Sequence, residues 1–152
     1  MDHKEKAREL FIKGHNCSQS VFAAYCDLTG YTEQQALKIS SSMGGGMGRL
    51  REVCGACSAA FMVLGCLYGY TDPEDREAKK LHYERIQEYA RRFKGEYDTI
   101  ICRELLKGLN VSSSPDPTPR TAEFYKVRPC VKFIVKACEL LDEMIEEIEN
   151  GK

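Results

Sequence analysis

The chain predicts an all-α fold: one domain over residues 1–152, a helical bundle of about six or seven helices around a central apolar helix. Three observations point there. Apolar residues recur at three- and four-residue steps along most of the chain, while strand signals are weak. Helix start signals precede several of those stretches. Val53 to Tyr70 is an eighteen-residue run without a charge, at the lower edge of transmembrane length. Gly55, Ser58, Gly65 and Gly69 interrupt it, and the other helices are amphipathic, so the run reads as the buried centre of a soluble bundle. At 152 residues the chain is long enough to bury a core without covalent staples.

Taken in order, Ala7, Leu10, Phe11 and Gly14 trace one face of a first helix. Asn16-Cys17-Ser18-Gln19 has the pattern of a capping box and opens a second, with Val21, Ala24 and Leu28 on the face of Cys17. Thr32-Glu33-Gln34-Gln35 repeats the pattern for a third helix through Ala36, Ile39 and Met43, ended by a glycine loop. After the apolar helix, Asp72-Pro73-Glu74 reads as a cap, a proline at the first helical position and an acid in the first turn. That helix should run to about Phe93 and stop at Lys94-Gly95. Asp98 is expected to cap a short helix through Ile101, Cys102 and Leu105, and Val111 to Pro119 is a loop. A last helix begins at Pro129, carrying Val131, Ile134, Cys138, Leu141, Ile145 and Ile148 as its apolar stripe.

A net charge of −1 with interleaved acids and bases argues against nucleic acid or an anionic membrane as the main partner. The N-terminal residues lead into an amphipathic helix with no apolar signal core, so the expected location is cytoplasmic. There, eight cysteines read as thiols, ligands or catalytic groups rather than as structural disulfides.

Chemistry concentrates at Cys54-Gly55-Ala56-Cys57, two thiols one helical turn apart behind Gly44-Gly45-Gly46-Met47-Gly48-Arg49. Without a βαβ setting the thioredoxin reading fails; Ser58 in place of histidine excludes c-type haem attachment; and the glycine run lacks the Lys-Ser/Thr of a P-loop. Gly44, Gly45, Gly46 and Gly48 would bring bare backbone N–H groups to sulfur, and Arg49 would add positive charge. Cys17, Cys102 and Cys130 each fall in the first turn of a predicted helix, and Cys54 near the start of the apolar one. Helix starts favour thiolate, and four of them meeting at one end of a bundle would suit exchanging thiols or a metal cluster. Cys138 lies in an apolar stripe and reads as core. Cys26 and Cys66 face away from Cys17 and Cys57 and read as filler. Cys57 reads as a resolving thiol, an extra ligand or a core residue. His82, on the stripe of Ala78, Ile86, Tyr89 and Phe93, reads as a core histidine first and a ligand second. His15 belongs to the turn before Cys17.

Asn16-Cys17, the Gly44–Arg49 run, Cys54-Gly55-Ala56, Cys102-Arg103-Glu104-Leu105-Leu106 and Arg128-Pro129-Cys130 together resemble the C_GCAxxG_C_C family, which carries the label redox-active. The resemblance covers nearly the whole chain, and it implies that the family's four cysteines fall on Cys17, Cys54, Cys102 and Cys130. Ala59 stands where the last glycine of the family's CGAxxG pattern is expected. Cys57 is outside the four, so a Cys54–Cys57 dithiol would belong to this chain alone.

Three readings follow. In the first, the protein is a redox carrier or thiol-based oxidoreductase working by reversible thiol/disulfide electron transfer. Cys54 is the nucleophile and Cys57 or Cys17 the resolver, and the partner is a redox protein or a small thiol or disulfide. In the second, Cys17, Cys54, Cys102 and Cys130 ligate an iron–sulfur cluster, or less readily zinc, in an electron carrier or sensor. In the third, the protein is a structural helical homodimer or partner-binding protein with core cysteines. The terminal helix favours a homodimer in any of them.

Overall fold

The computed structural model describes residues 2–151, and the described residues form nine α-helices and no strand. They are α1 (His3–Ile12), α2 (Cys17–Ala23), α3 (Cys26–Thr29), α4 (Glu33–Ser40), α5 (Gly55–Tyr68), α6 (Arg76–Tyr97), α7 (Cys102–Leu105), α8 (Ala122–Val127) and α9 (Cys130–Gly151). The all-α expectation holds, with nine helices among the described residues where about six or seven were expected, since the second helix divides in two and the short α8 is added. The uncharged run becomes α5, which packs against α2, α6 and α9. From Gly55 to Ala60 it is buried on every side, and its second half emerges from the core, with Cys66 exposed. Among the described residues no helix is long and apolar enough to cross a membrane.

Both capping boxes form. Asn16 accepts from the Gln19 N–H while the Gln19 side chain accepts from Asn16 N–H, and Thr32 and Gln35 do the same at α4. The stripe on α9 is the floor of the core, with Ile134, Ala137, Cys138 and Leu141 fully buried. Tyr25 and Tyr89 reach that floor with their hydroxyls, donating to the carbonyls of Cys138 (3.1 Å) and Ala137 (2.8 Å).

Four boundaries differ from expectation. The second helix breaks at Ala24–Tyr25, where the Tyr25 ring turns into the core, so Leu28 lies exposed on the separate α3. Asp72 makes a local turn, accepting from the Glu74 N–H, and the cap of α6 is Asp75, which accepts from the Ala78 N–H. α6 passes straight through Gly95, because Asp98 in the left-handed region (φ 68°) closes it instead. Asp98 therefore caps no following helix; Thr99 Oγ1 takes the Ile101 N–H before α7. A short helix, α8, went unforeseen.

Candidate functional site

Each of the four separated cysteines is placed by its own local device. Cys17 is the first residue of α2, held by the Asn16 cap, whose side-chain amide also donates to the Ser41 carbonyl (3.2 Å). Cys54 is the residue preceding α5, and Cys102 opens α7. These two are drawn together by an isolated antiparallel bridge, Val53 to Ile101. Cys54 N–H donates to Ile100 O (2.7 Å) and Cys102 N–H to Glu52 O (2.6 Å). Cys130 follows Pro129 and opens α9.

Two glycines let the pieces close. A Cβ on Gly55 would stand 2.8 Å from Cys17 Sγ and 2.9 Å from the Met43 carbonyl. One on Gly46 would stand 2.6 Å from Cys102 Cβ. In the loop around Gly46, Gly45, Gly46, Met47, Gly48 and Arg49 all have positive φ, from 58° to 73°, as does Arg51 (62°). Side-chain-bearing residues enter this region at a cost of about 1–2 kcal/mol each, and such strain tends to gather at functional sites. The loop's N–H groups mostly bond within the loop, as in Arg51 N–H to Gly45 O (3.2 Å). That of Gly45 is turned to the Cys17 sulfur.

The result is a single small cavity of about 20 Å³ lined by Cys17, Cys54, Cys102 and Cys130 with Gly55, Leu105, Leu106 and Phe133. It has room for about one water. Cys17, Cys102 and Cys130 also line a larger cleft of about 460 Å³ roofed by the 112–118 loop.

Four cysteines, each at the beginning of a different helix, thus share one pocket beside a glycine loop. The model of a family described as "Putative redox-active protein (C_GCAxxG_C_C)" matches residues 15–144. The chain belongs to the C_GCAxxG_C_C family. No curated protein and no solved structure matches it.

In this C_GCAxxG_C_C protein the electrostatics depart from what helix starts alone suggest. Burial pushes the Cys17 thiol up to about 11 and the Cys130 thiol up to about 12, with the neighbouring sulfurs adding to it. A hydrogen bond with the Cys57 thiol, then burial, hold Cys54 well above the ordinary thiol range. Burial raises Cys102 as well, but the Arg51 guanidinium, 3.7 Å from its sulfur, opposes the rise. Desolvation outweighs the helix-start effect because the pocket is walled by leucine and phenylalanine. Each of the four shifts favours the neutral thiol over the thiolate.

Arg49 does not serve the sulfurs as expected. Its Nε and Nη1 donate to Ser114 O (2.6 Å) and Thr118 Oγ1 (2.9 Å), clamping the 112–118 loop. The guanidinium at sulfur is that of Arg51, which sequence did not single out. Arg120 and Arg128 complete the cleft wall; nothing in the sequence marked Arg120, and Arg128 entered only within the Arg128-Pro129-Cys130 motif, with no role of its own. An arginine two or three residues ahead of a site cysteine, Arg51 before Cys54 and Arg128 before Cys130, was the available signal.

Cys57 lies fully buried one turn into α5, hydrogen-bonded to the Cys54 thiol but outside the cavity lining. Cys138 is core, and Cys26 and Cys66 lie elsewhere. His82 sits edge-on to Tyr70, its pKa lowered by burial and by Arg85, and lines neither cavity nor cleft. The His15 carbonyl accepts from Arg120 (2.9 Å). Ala59, in the family's glycine position, is fully buried against the core. Among the described residues all eight cysteines are free thiols. No three or more His, Cys, Asp or Glu side chains there are gathered closely enough to hold an ion. The sulfurs share a pocket without standing at ligand spacing.

Proposed function

We propose that this protein is a thiol–disulfide electron carrier whose working thiols are the four that line the small cavity. The reading rests on one observation: Cys17, Cys54, Cys102 and Cys130, far apart along the chain, line the same small cavity. Cys102 is the attacking thiol in this reading, because it touches both cleft and cavity and has Arg51 to stabilise its thiolate. Cys54 is its resolver, tied to it by the Val53–Ile101 bridge. Cys54 suits the attacking role less, since it does not line the cleft and the Cys57 thiol raises its pKa.

The test is a thiol count across a series of buffered redox potentials, with alkylation and peptide mapping. Reversible loss of two titratable thiols, with a Cys54–Cys102 cross-linked peptide, is the expected result. An unchanged count of eight across the whole series excludes it. Iron and acid-labile sulfide in protein prepared without oxygen, with the four thiols blocked, would transfer the same residues to the iron–sulfur reading.

A further inference from the structure

The geometry points to the cleft above the cysteines as an anion-selective substrate site that takes a small disulfide bearing carboxylate groups. The inference rests on the thiol-exchange reading above and names its substrate class. The cleft, at about 460 Å³, falls in the range of small-molecule pockets. Arg49, Arg51, Arg120 and Arg128 line it together with three of the cysteines, and no aspartate or glutamate does, in a chain whose net charge is −1.

None of the four guanidiniums has a carboxylate partner among the described residues. Their hydrogen bonds go mostly to backbone carbonyls: Arg49 to Ser114, Arg51 to Ser112 (3.0 Å), Arg120 to Phe11 (3.0 Å) and His15. Carbonyls orient a guanidinium without cancelling its charge. Asp116 approaches Arg49 from the loop, and its carboxylate accepts from the Ser114 hydroxyl (3.2 Å). Arg51 is the sharpest case, only 6% exposed, with its Nη2 buried and without a hydrogen-bond partner. Burying a charge that nothing neutralises is costly, and the charge on Arg49 is disfavoured by desolvation first and then by repulsion from Arg51 and Arg128, which Asp116 only partly opposes. A carboxylate is the ligand that removes both costs, since its two oxygens match the guanidinium fork.

The Cys102 thiol gives up its proton and attacks one sulfur of the bound disulfide. The S–S bond breaks, and the first thiolate leaves and takes up that proton. A second cysteine of the cavity then attacks the mixed disulfide and releases the second thiol. One disulfide is reduced to two thiols, and two protein thiols are oxidised to one disulfide.

The experiment compares oxidation rates of the reduced full-length protein by dithiodiglycolate (dianionic), bis(2-hydroxyethyl) disulfide (uncharged) and cystamine (dicationic). Dithiodiglycolate is expected to react at least tenfold faster than the uncharged compound, with the advantage shrinking as salt is added. Cystamine is expected to be slowest. Arg128→Gln should reduce the dianion-to-neutral ratio severalfold and Arg128→Lys should largely keep it. Equal rates for the three disulfides overturn the inference.

A second measurement separates the cleft from the chemistry. Adipate, a dicarboxylate without sulfur, should slow N-ethylmaleimide alkylation of Cys17, Cys102 and Cys130 saturably. Protection by adipate with no reaction toward any disulfide upholds the anion site and removes the thiol-exchange reading. No protection at any adipate concentration removes the anion site, whatever the redox result.

Discussion

Arg51 carries more of the site than its neighbours in sequence suggest. It is nearly buried, holds the Ser112 carbonyl with Nε, and sets Nη1 against Cys102 Sγ. Its hydrogen bond and charge, with a smaller contribution from Arg128, oppose the rise that burial imposes on the Cys102 thiol. Arg51→Met is therefore expected to slow iodoacetamide alkylation of Cys102 severalfold at pH 8, and Arg51→Lys to restore most of the rate; peptide mass spectrometry after timed labelling reads both. Gly55 is the complementary case, where the absence of a side chain matters. Gly55→Ala drives a methyl into Cys17 Sγ and the Met43 carbonyl, and should cost about 1–3 kcal/mol in urea denaturation.

The cysteines were legible one by one, because each stands just after a start signal or an abrupt change of pattern. The arginine cleft was not, because Arg51, Arg120 and Arg128 come from three separate segments and converge only after folding. The direction of the thiol pKa values was also hidden. A helix start is visible in sequence, but the leucine and phenylalanine walls that desolvate the sulfur are not.

At the scale of elements, capping decided what could be read ahead. α2 and α4 begin where their capping boxes say, and α9 begins behind its proline. α6 departs from expectation at both ends because two residues competed for each role. Asp75 outranks Asp72 at the start, and Asp98 adopts the left-handed closing position that Gly95 was expected to fill. α8, at six residues, is too short to show a period. The Asn16 cap joins element to site, since it starts α2 at Cys17 and also holds Ser41. Asn16→Ala should cost about 1–2 kcal/mol by thermal or urea unfolding. It should also speed alkylation of Cys17 relative to Cys138, whereas a purely distributed loss of stability would speed both alike.

Across the whole molecule, the two ends of the chain are pinned by one histidine. His3 on α1 is within 2.8 Å of Asp142 on α9 and 2.9 Å of Asp27 on α3, and its ring stacks on Tyr25. Hydrogen bonding to Asp142 outweighs burial and raises the His3 pKa. A raised folded-state pKa means that the contribution is complete below the unfolded value near 6.5 and is lost as pH rises through the higher folded one. The melting temperature should therefore fall on going from pH 6 to above the folded pKa, and His3→Gln should remove that part of the slope. Melting curves of the two proteins across that range check it.

The bridge from Val53 to Ile101 has a mechanical corollary. It sets two thiols at the ends of a span of chain that contains all of α5 and α6, the inner post and one outer wall of the bundle. A bond between Cys54 and Cys102 would tie that span into a closed ring and strip the denatured chain of freedom, worth about 4 kcal/mol for a ring of this length. Calorimetry of oxidised and reduced samples should show the oxidised form melting several degrees higher, with Cys102→Ser abolishing the gap. Heat resistance would then report how many electrons the protein is holding.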